Sequence, residues 1–291
     1  MRILLIGRNG QLGWELQRAC MTLGDVTATD YPEVDLARID DLRSLVRSVK
    51  PHILLNPAAY TNVDGAETEN QLAHAVNAIA PGVLAEEMKK LGGAFIHYST
   101  DYVFDGEKRS LYTEDDAPDP INVYGETKLA GELAVHGADG IVLTFRTSWV
   151  YSLRTGGFVN KVLDWARQQP VMHIVDDQTG SPTWARMLAE ATAQVIARGG
   201  SDPLGYLQDH RGLYHLAGAG AASRFEWARE VIERDPRKEE QVVKQLLPAK
   251  SKEFPNPARR PVYSALDCRK FERTFELTLP DWKESIRLLL G

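Results

Sequence analysis

The sequence predicts an α/β protein built on a doubly wound parallel sheet, with a smaller, discontinuous α/β unit toward the C-terminus. Three observations predict it. Short apolar runs alternate with amphipathic stretches through the first half; the first run exits into a glycine-rich turn; and the alternation dissolves past Tyr151.

Ile3 to Ile6 reads as a strand buried on both faces. It leads into Gly7-Arg8-Asn9-Gly10-Gln11-Leu12-Gly13, and Leu12, Leu16, Ala19 and Cys20 then recur at helical spacing. A glycine turn alone is weak, but strand, turn and helix together form the context in which backbone approaches a pyrophosphate at a helix N-terminus, as in Rossmann-type folds. A second strand near Val26 to Thr29 ends at Asp30. A carboxylate there is placed for the adenosine ribose hydroxyls, which favours NAD, whereas Arg8 would meet a 2′-phosphate, which favours NADP; the two signals conflict. Asp35-Leu36 falls where an adenine edge would lie, although Asp in a loop is commonly a turn former.

A helix over about Ile39–Val49 precedes a third strand, His52 to Asn56, whose exit Pro57-Ala58-Ala59-Tyr60-Thr61 has small residues that let a cofactor lie against backbone. A long helical stretch follows Asp64 and runs to about Leu91, interrupted or bent near Pro81. Asn77 falls inside it among apolar residues. A buried amide needs partners, and a brace for a loop near the site and an ordinary structural hydrogen bond both remain open. Ala94 to Tyr98 is a fourth strand, so four strand ends converge at Gly7, Asp30, Ala58 and Thr100, on the side of an open parallel sheet where ligands gather.

Asp105 to Ile121 reads as a surface loop, Asn122 to Val135 as a helix, and Ile141 to Arg146 as a strand that delivers Trp149 to the same edge as Thr100. Beyond Tyr151, helices are expected over Phe158–Ala166 and Ala185–Arg198, the latter able to pack back on the sheet. Strands are expected at Val171–Val175 and Gly212–Ala217, and Gly199–Gly212 reads as a loop. Ser223 with Glu226 three residues on is a helix start, and a last helix begins near Trp282. The expected division is a cofactor-binding unit over residues 1–150, with a return through about 170–200, and a mainly substrate-binding unit over 151–291. Arg259-Arg260 in a proline-bounded loop suit a diphosphate, with solvated surface charge as the equal alternative.

The 291 residues are 43% hydrophobic and 25% charged, with net charge −6, which gives no basic excess for nucleic acid. Two distant cysteines indicate neither disulfide framework nor zinc site, and the seven histidines show no ligand spacing, so no metal is expected. No apolar run is long enough for a membrane span; a reducing cytoplasm is the expected compartment.

The chemistry is expected in the stretch Ser99 to Lys128. Tyr124 and Lys128 stand at i and i+4 on the expected helix and share a face, with the Thr100 hydroxyl at the exit of the fourth strand. An ammonium beside a phenol favours the phenolate, so Lys128 is expected to bring the Tyr124 pKa down toward neutrality. Tyr124 would then protonate a developing alkoxide, with Thr100 steadying the oxygen. In isolation Tyr-x-x-x-Lys arises about 0.4 times by chance in such a chain, and the surroundings decide.

Those surroundings are Gly7-x-x-Gly10-Gln-Leu-Gly13, Asn56-Pro-Ala-Ala-Tyr-Thr-Asn-Val-Asp64, Ser99-Thr-Asp-Tyr-Val-Phe-Asp-Gly106, Tyr124-Gly-x-x-Lys128, Arg146-Thr-Ser-Trp-Val-Tyr151, Asp177-Gln-x-Gly-x-Pro-Thr183 and Arg260-Pro-x-x-Ser-x-Leu-Asp267. In this order the set resembles the extended short-chain dehydrogenase/reductase superfamily, and more closely the dTDP-4-dehydrorhamnose reductases. The resemblance implies hydride transfer from NADPH or NADH to C4 of dTDP-4-dehydro-L-rhamnose. Tyr124 would be the proton donor, Lys128 its tuning residue and the holder of the nicotinamide ribose, and Thr100 the hydroxyl partner; Asp101, Tyr102 and Trp149 would line the sugar pocket. Related sugar-nucleotide 4,6-dehydratases carry Thr-Asp-Glu where this chain has Thr100-Asp101-Tyr102. Elimination needs a second acid/base pair that Tyr102 does not supply, so reduction is preferred. Some members bind Mg²⁺ at a dimer interface through glutamates. Glu15 and Glu190 are the candidates here, without a commitment to a metal, and a homodimer is the assembly this suggests. A non-catalytic NAD(P)-binding regulatory subunit and a nucleotide-sugar epimerase are the rival readings.

Overall fold

The computed structural model describes residues 1–154 and 156–291. Six strands form one parallel sheet in the order Gly212–His215, Ile141–Thr147, Ala94–Thr100, Ile53–Asn56, Arg2–Ile6 and Asp25–Thr29. The winding reverses beside the first strand, which opens a crevice at the strand C-termini between Arg2–Ile6 and Ile53–Asn56.

Alternation along each strand divides the apolar residues between two faces. Ile3, Leu5, Ile53, Leu55, Ile96 and Leu143 pack with Leu12 and Leu16 of the helix Gln11–Ala19, and with Leu188 and Val195 of the helix Ala185–Ala197. Leu4, Ile6, Leu54, Phe95 and Val142 pack with the helices Ile39–Val49, Ala80–Lys90 and Val123–Gly137. Burial on both faces is why these strands are continuously apolar. The Ala185–Ala197 helix thus returns to the sheet, as its stripe of Leu188, Ala191 and Val195 allows. A separate cluster gathers Tyr151, Val162, Met172, Trp184, Trp227 and Ile286. Beside it Val171–Val175 pairs in parallel with Gln245–Ala249.

Two local readings are sharpened and one, the loop Gly199–Gly212, is corrected. The stretch after Asp64 is broken before Pro81: a π-helical turn, Ala75–Ile79, separates Asn70–His74 from Ala80–Lys90, and Pro81 sits in the first turn of that last helix, where its missing N–H costs nothing. Gly199–Gly212 holds a helix, Pro203–Asp209, capped by the Asp202 carboxylate accepting from Gly205 N at 3.0 Å. Gly212–His215 joins the main sheet as its edge strand. Ser223 and Glu226 form the expected reciprocal cap.

Candidate active site

The glycine turn is shaped by backbone contact. Gly7 has φ +104°, and a Cβ there would stand 2.9 Å from the Ala58 Cβ; one on Gly13 would stand 1.8 Å from the Gly7 carbonyl oxygen. Only glycine fits either place, and the resulting cradle at the start of the helix Gln11–Ala19 fits a pyrophosphate. Gln11 ties it across the crevice, donating to Val150 O at 3.3 Å and accepting from Ser152 Oγ at 3.1 Å. Asp30 accepts from the N–H groups of Asn9 and Tyr31, each at 2.8 Å. Arg8 donates to Ala28 O at 2.9 Å and to Glu33 at 2.7 Å.

On the third strand's exit, Asn77 accepts from Tyr60 N at 2.8 Å and donates to Tyr60 O and to Thr127 Oγ1, both at 3.1 Å. The buried amide therefore braces the loop that carries Ala58 and Ala59. The Tyr60 hydroxyl turns outward to Glu69.

A cavity of about 510 Å³ joins these parts. Its walls include Gly7, Gly10, Gln11, Leu12, Gly13, Asp30, Ala58, Ala59, Thr100, Asp101, Tyr124, Lys128 and Trp149. Arg8, Asp35, Leu36, Tyr60, Tyr102, Arg259 and Arg260 are not on its walls. Asp35 closes a turn by accepting from Ala37 N, and Leu36 packs against the core.

Asn122 caps the helix Val123–Gly137, accepting from Gly125 N at 2.8 Å, and so fixes Tyr124 in the first turn. A Cβ on Gly125 would meet the Tyr102 carbonyl oxygen at 2.2 Å, so the helix start lies against the segment that follows Thr100. Tyr102 is buried, edge-on to Tyr124 with centroids 5.8 Å apart. Lys128 is buried and donates to Tyr98 O at 2.6 Å, and burial lowers its pKa to about 8. Burial likewise raises the Tyr124 phenol, which Thr100 partly offsets; Lys128 is not among the groups acting on it. This corrects the expectation that the ammonium brings the phenol down: the amine is turned to the Tyr98 carbonyl, and desolvation of the ring dominates. A phenol held protonated is still equipped to donate.

Asp101 is buried, and accepts from Thr100 Oγ1 at 3.2 Å, from Ser148 Oγ at 3.0 Å and from Ser264 Oγ. Burial raises its pKa to about 6 against these three hydroxyls. Trp149 has φ +45°, uncommon for a bulky residue, and stacks on Trp227 with centroids 5.6 Å apart. Gly180 makes room beneath it, since a Cβ there would stand 2.5 Å from the indole.

The family model of the RmlD substrate binding domain matches residues 1–291. A dTDP-4-dehydrorhamnose reductase of Burkholderia thailandensis is 42% identical over 291 residues, covering 99% of this chain and 97% of that protein. The chain belongs to this reductase family. The Escherichia coli K12 member is 40% identical over 298 residues, covering 100% of this chain and 97% of its own. The Bacillus anthracis reductase, solved in complex with NADP, superposes with TM-score 0.89 at 31% identity, covering 99% of this chain and 98% of that one. A Thermus thermophilus UDP-glucose 4-epimerase solved with NAD has TM-score 0.79 at 20% identity, over 100% of this chain and 98% of that one, a likeness of fold.

Within this family frame the two arginines separate. Arg259 is exposed and its carbonyl accepts from Asn122, whereas Arg260 pairs with Asp64 and lines a second cavity of about 680 Å³. That cavity also has Phe158, Gln178 and Arg224 on its walls. Arg224 stands 3.6 Å over the Trp149 ring and faces the Tyr102 phenol together with Arg260. Sequence reasoning missed Arg224; its signal was its place directly after the Ser223 cap, at a helix start that points to Gln178. Glu190 is paired with Arg186 at 2.8 Å, and Glu15 acts on the same guanidinium. Among the described residues no group of three or more His, Cys, Asp or Glu side chains is placed to hold a metal, and no helix is long and apolar enough to cross a membrane.

Proposed function

We propose that the chain reduces the C4 ketone of dTDP-4-dehydro-L-rhamnose to dTDP-L-rhamnose. The observation that carries this reading is the single cavity in which Thr100, Tyr124 and Lys128 face the glycine cradle. A nicotinamide cofactor, NADPH or NADH, would be held by Gly7, Gly10, Gln11, Leu12, Gly13, Asp30, Ala58 and Ala59, with Arg8 at the rim beside Asp30, and would supply the hydride. Asp35, Leu36 and Tyr60 stand off the cavity and are not among its holders.

Tyr124, kept protonated by burial, gives its proton to the oxygen that becomes the C4 hydroxyl. The Thr100 oxygen is held by Tyr102 N at 3.1 Å, and its hydroxyl, which rests on Asp101 at 3.2 Å, turns to the same substrate oxygen and steadies it. The Lys128 amine, anchored on the Tyr98 carbonyl at 2.6 Å, positions the nicotinamide ribose. Asp101, Tyr102 and Trp149 bind the sugar, and Arg260, Arg259 and Arg224 the diphosphate side, with the second cavity receiving the nucleotide. The division of labour that follows is cofactor binding over residues 1–150 with the return through 170–200, and substrate binding mainly over 151–291. The same reading takes the protein as a cytoplasmic homodimer.

The test is a panel of dTDP- and UDP-linked 4-ketosugars assayed with NADPH and NADH, in wild type and Tyr124→Phe. Turnover of the dTDP ketosugar should vanish in Tyr124→Phe while cofactor still binds. Equal turnover in the variant removes the mechanism, and bound NAD with no net consumption points to an epimerase.

A further inference from the structure

Behind Lys128 the sheet carries a row of buried polar side chains that the proposed reaction leaves unused. The strand register sets Asn56 beside His97, and His97 beside Thr144, on the face covered by the helix Val123–Gly137. All three are fully buried. Asn56 Nδ2 and Oδ1, His97 Nδ1 and Thr144 Oγ1 have no hydrogen-bond partner among the described residues. One step nearer the cavity the pattern repeats: Ser99 lies beside Arg146, and Ser99 Oγ and Arg146 Nη1 also lack partners. Ser99 lines the cavity itself.

Interiors rarely leave so many adjacent donors and acceptors unpaired, and ordered water is what fills polar gaps of this kind. The row offers both kinds of partner. His97 Nε2 faces the Lys128 ammonium at 3.5 Å, which makes it the acceptor and leaves the ring proton on Nδ1. Nδ1–H and the Asn56 amide are then donors to water, and Asn56 Oδ1 and Thr144 Oγ1 its acceptors.

We propose that Asn56, His97 and Thr144 enclose ordered water that fixes the His97 ring with Nε2 toward Lys128, making His97 a positioning residue for that amine. The inference rests on the reading of Lys128 given above. Burial and the Lys128 charge keep His97 neutral, as an acceptor must be. The other charged groups that act on this pair come from the helix of Lys128: Glu132 on the amine and His136 on the His97 ring. Arg146, on the fifth strand, is paired with Glu132 at 2.7 Å. Glu132 and the Tyr98 carbonyl favour the ammonium, and removing the His97 acceptor withdraws a further favourable contact.

The experiment is the pH dependence of kcat in the full-length protein for His97→Leu, His97→Gln and Thr144→Val, with NADPH affinity and melting temperature recorded alongside. His97→Leu should lower kcat at neutral pH roughly tenfold by loosening the amine, and move the alkaline limb to lower pH. His97→Gln, whose side-chain oxygen replaces Nε2, should restore the limb, and Thr144→Val should shift it partway. An alkaline limb unmoved in a folded His97→Leu overturns the proposal, whatever happens to kcat. If His97→Leu does not fold, an unmoved limb in Thr144→Val does the same. A shift in His97→Leu with none in Thr144→Val overturns the water. Lys128→Met separates the layers: if it leaves turnover unchanged, the reading of Lys128 itself fails, whereas its inactivity beside an unmoved His97→Leu limb defeats only the present inference.

Discussion

Arg260 clasps Asp64 across 196 residues of chain, Nη2 to Oδ2 at 2.7 Å, and Asp64 also accepts from Ala258 N at 3.2 Å. The pair fastens the loop Pro257–Pro261, at the wall of the second cavity, to the short helix Val63–Ala66 that follows the Ala58 loop. The Arg260 hydrogen bond is also the main reason the Asp64 carboxyl sits below its usual range. Asp64→Asn should weaken substrate binding by about 1 kcal/mol, read as a KM for the sugar nucleotide raised about fivefold with kcat nearly unchanged. Steady-state kinetics at saturating cofactor checks this.

A second pair bears on the proposed cofactor. Glu33 holds the Arg8 guanidinium at 2.7 Å, beside the Asp30 carboxylate that lines the cradle. Glu33→Gln should release Arg8 toward a 2′-phosphate, and the pair is half-exposed, so the gain is at most about 1 kcal/mol. The affinity ratio of 2′,5′-ADP to ADP, measured by calorimetry, should rise up to about fivefold.

Asp101 has a stability cost with a definite pH window. Its pKa rises from 3.8 to about 6 on folding, so its contribution is greatest below 3.8 and is lost as pH rises through 6. Asp101→Asn removes that loss. Relative to the variant, the wild type should lose about 2 kcal/mol between pH 4 and pH 7, visible in urea denaturation at both pH values. A gap that does not change with pH would contradict the assignment.

Glu87 works in the opposite direction. It is buried and receives Arg43 at 2.7 Å, Arg47 at 2.7 Å and Lys90 at 2.8 Å, and the Arg47 hydrogen bond leads the effects that bring its pKa from 4.5 to about 2. Its stabilisation is present above 4.5 and is lost as pH falls toward 2. Glu87→Gln should cost about 2 kcal/mol at pH 7, with the difference from wild type shrinking on acidification.

The sheet was legible because its strands are apolar on both faces and each ends in a recognisable turn, from Gly7 to Thr100. Tyr124 and Lys128 were legible from helical spacing. Their electrostatics were not, because burial, which spacing does not encode, dominates both groups. Arg224 and the serines on Asp101 escaped for a related reason: Ser148, Ser264 and Arg224 come from three distant segments whose meeting depends on how the chain after Tyr151 folds back. The interruption near Pro81 was legible, but its form was not: a π-helical turn, Ala75–Ile79, makes the break and Pro81 begins the next helix.

One amide joins parts that engineering would want to vary separately. Asn77 grips both backbone groups of Tyr60 and the hydroxyl of Thr127, which lies between Tyr124 and Lys128 on the helix Val123–Gly137. The wall proposed to carry the cofactor and the helix proposed to deliver the proton are therefore mechanically one piece. Redesign of the Pro57–Thr61 loop for a bulkier cofactor analogue will disturb proton delivery as well, unless Asn77 and its three bonds are carried along unchanged.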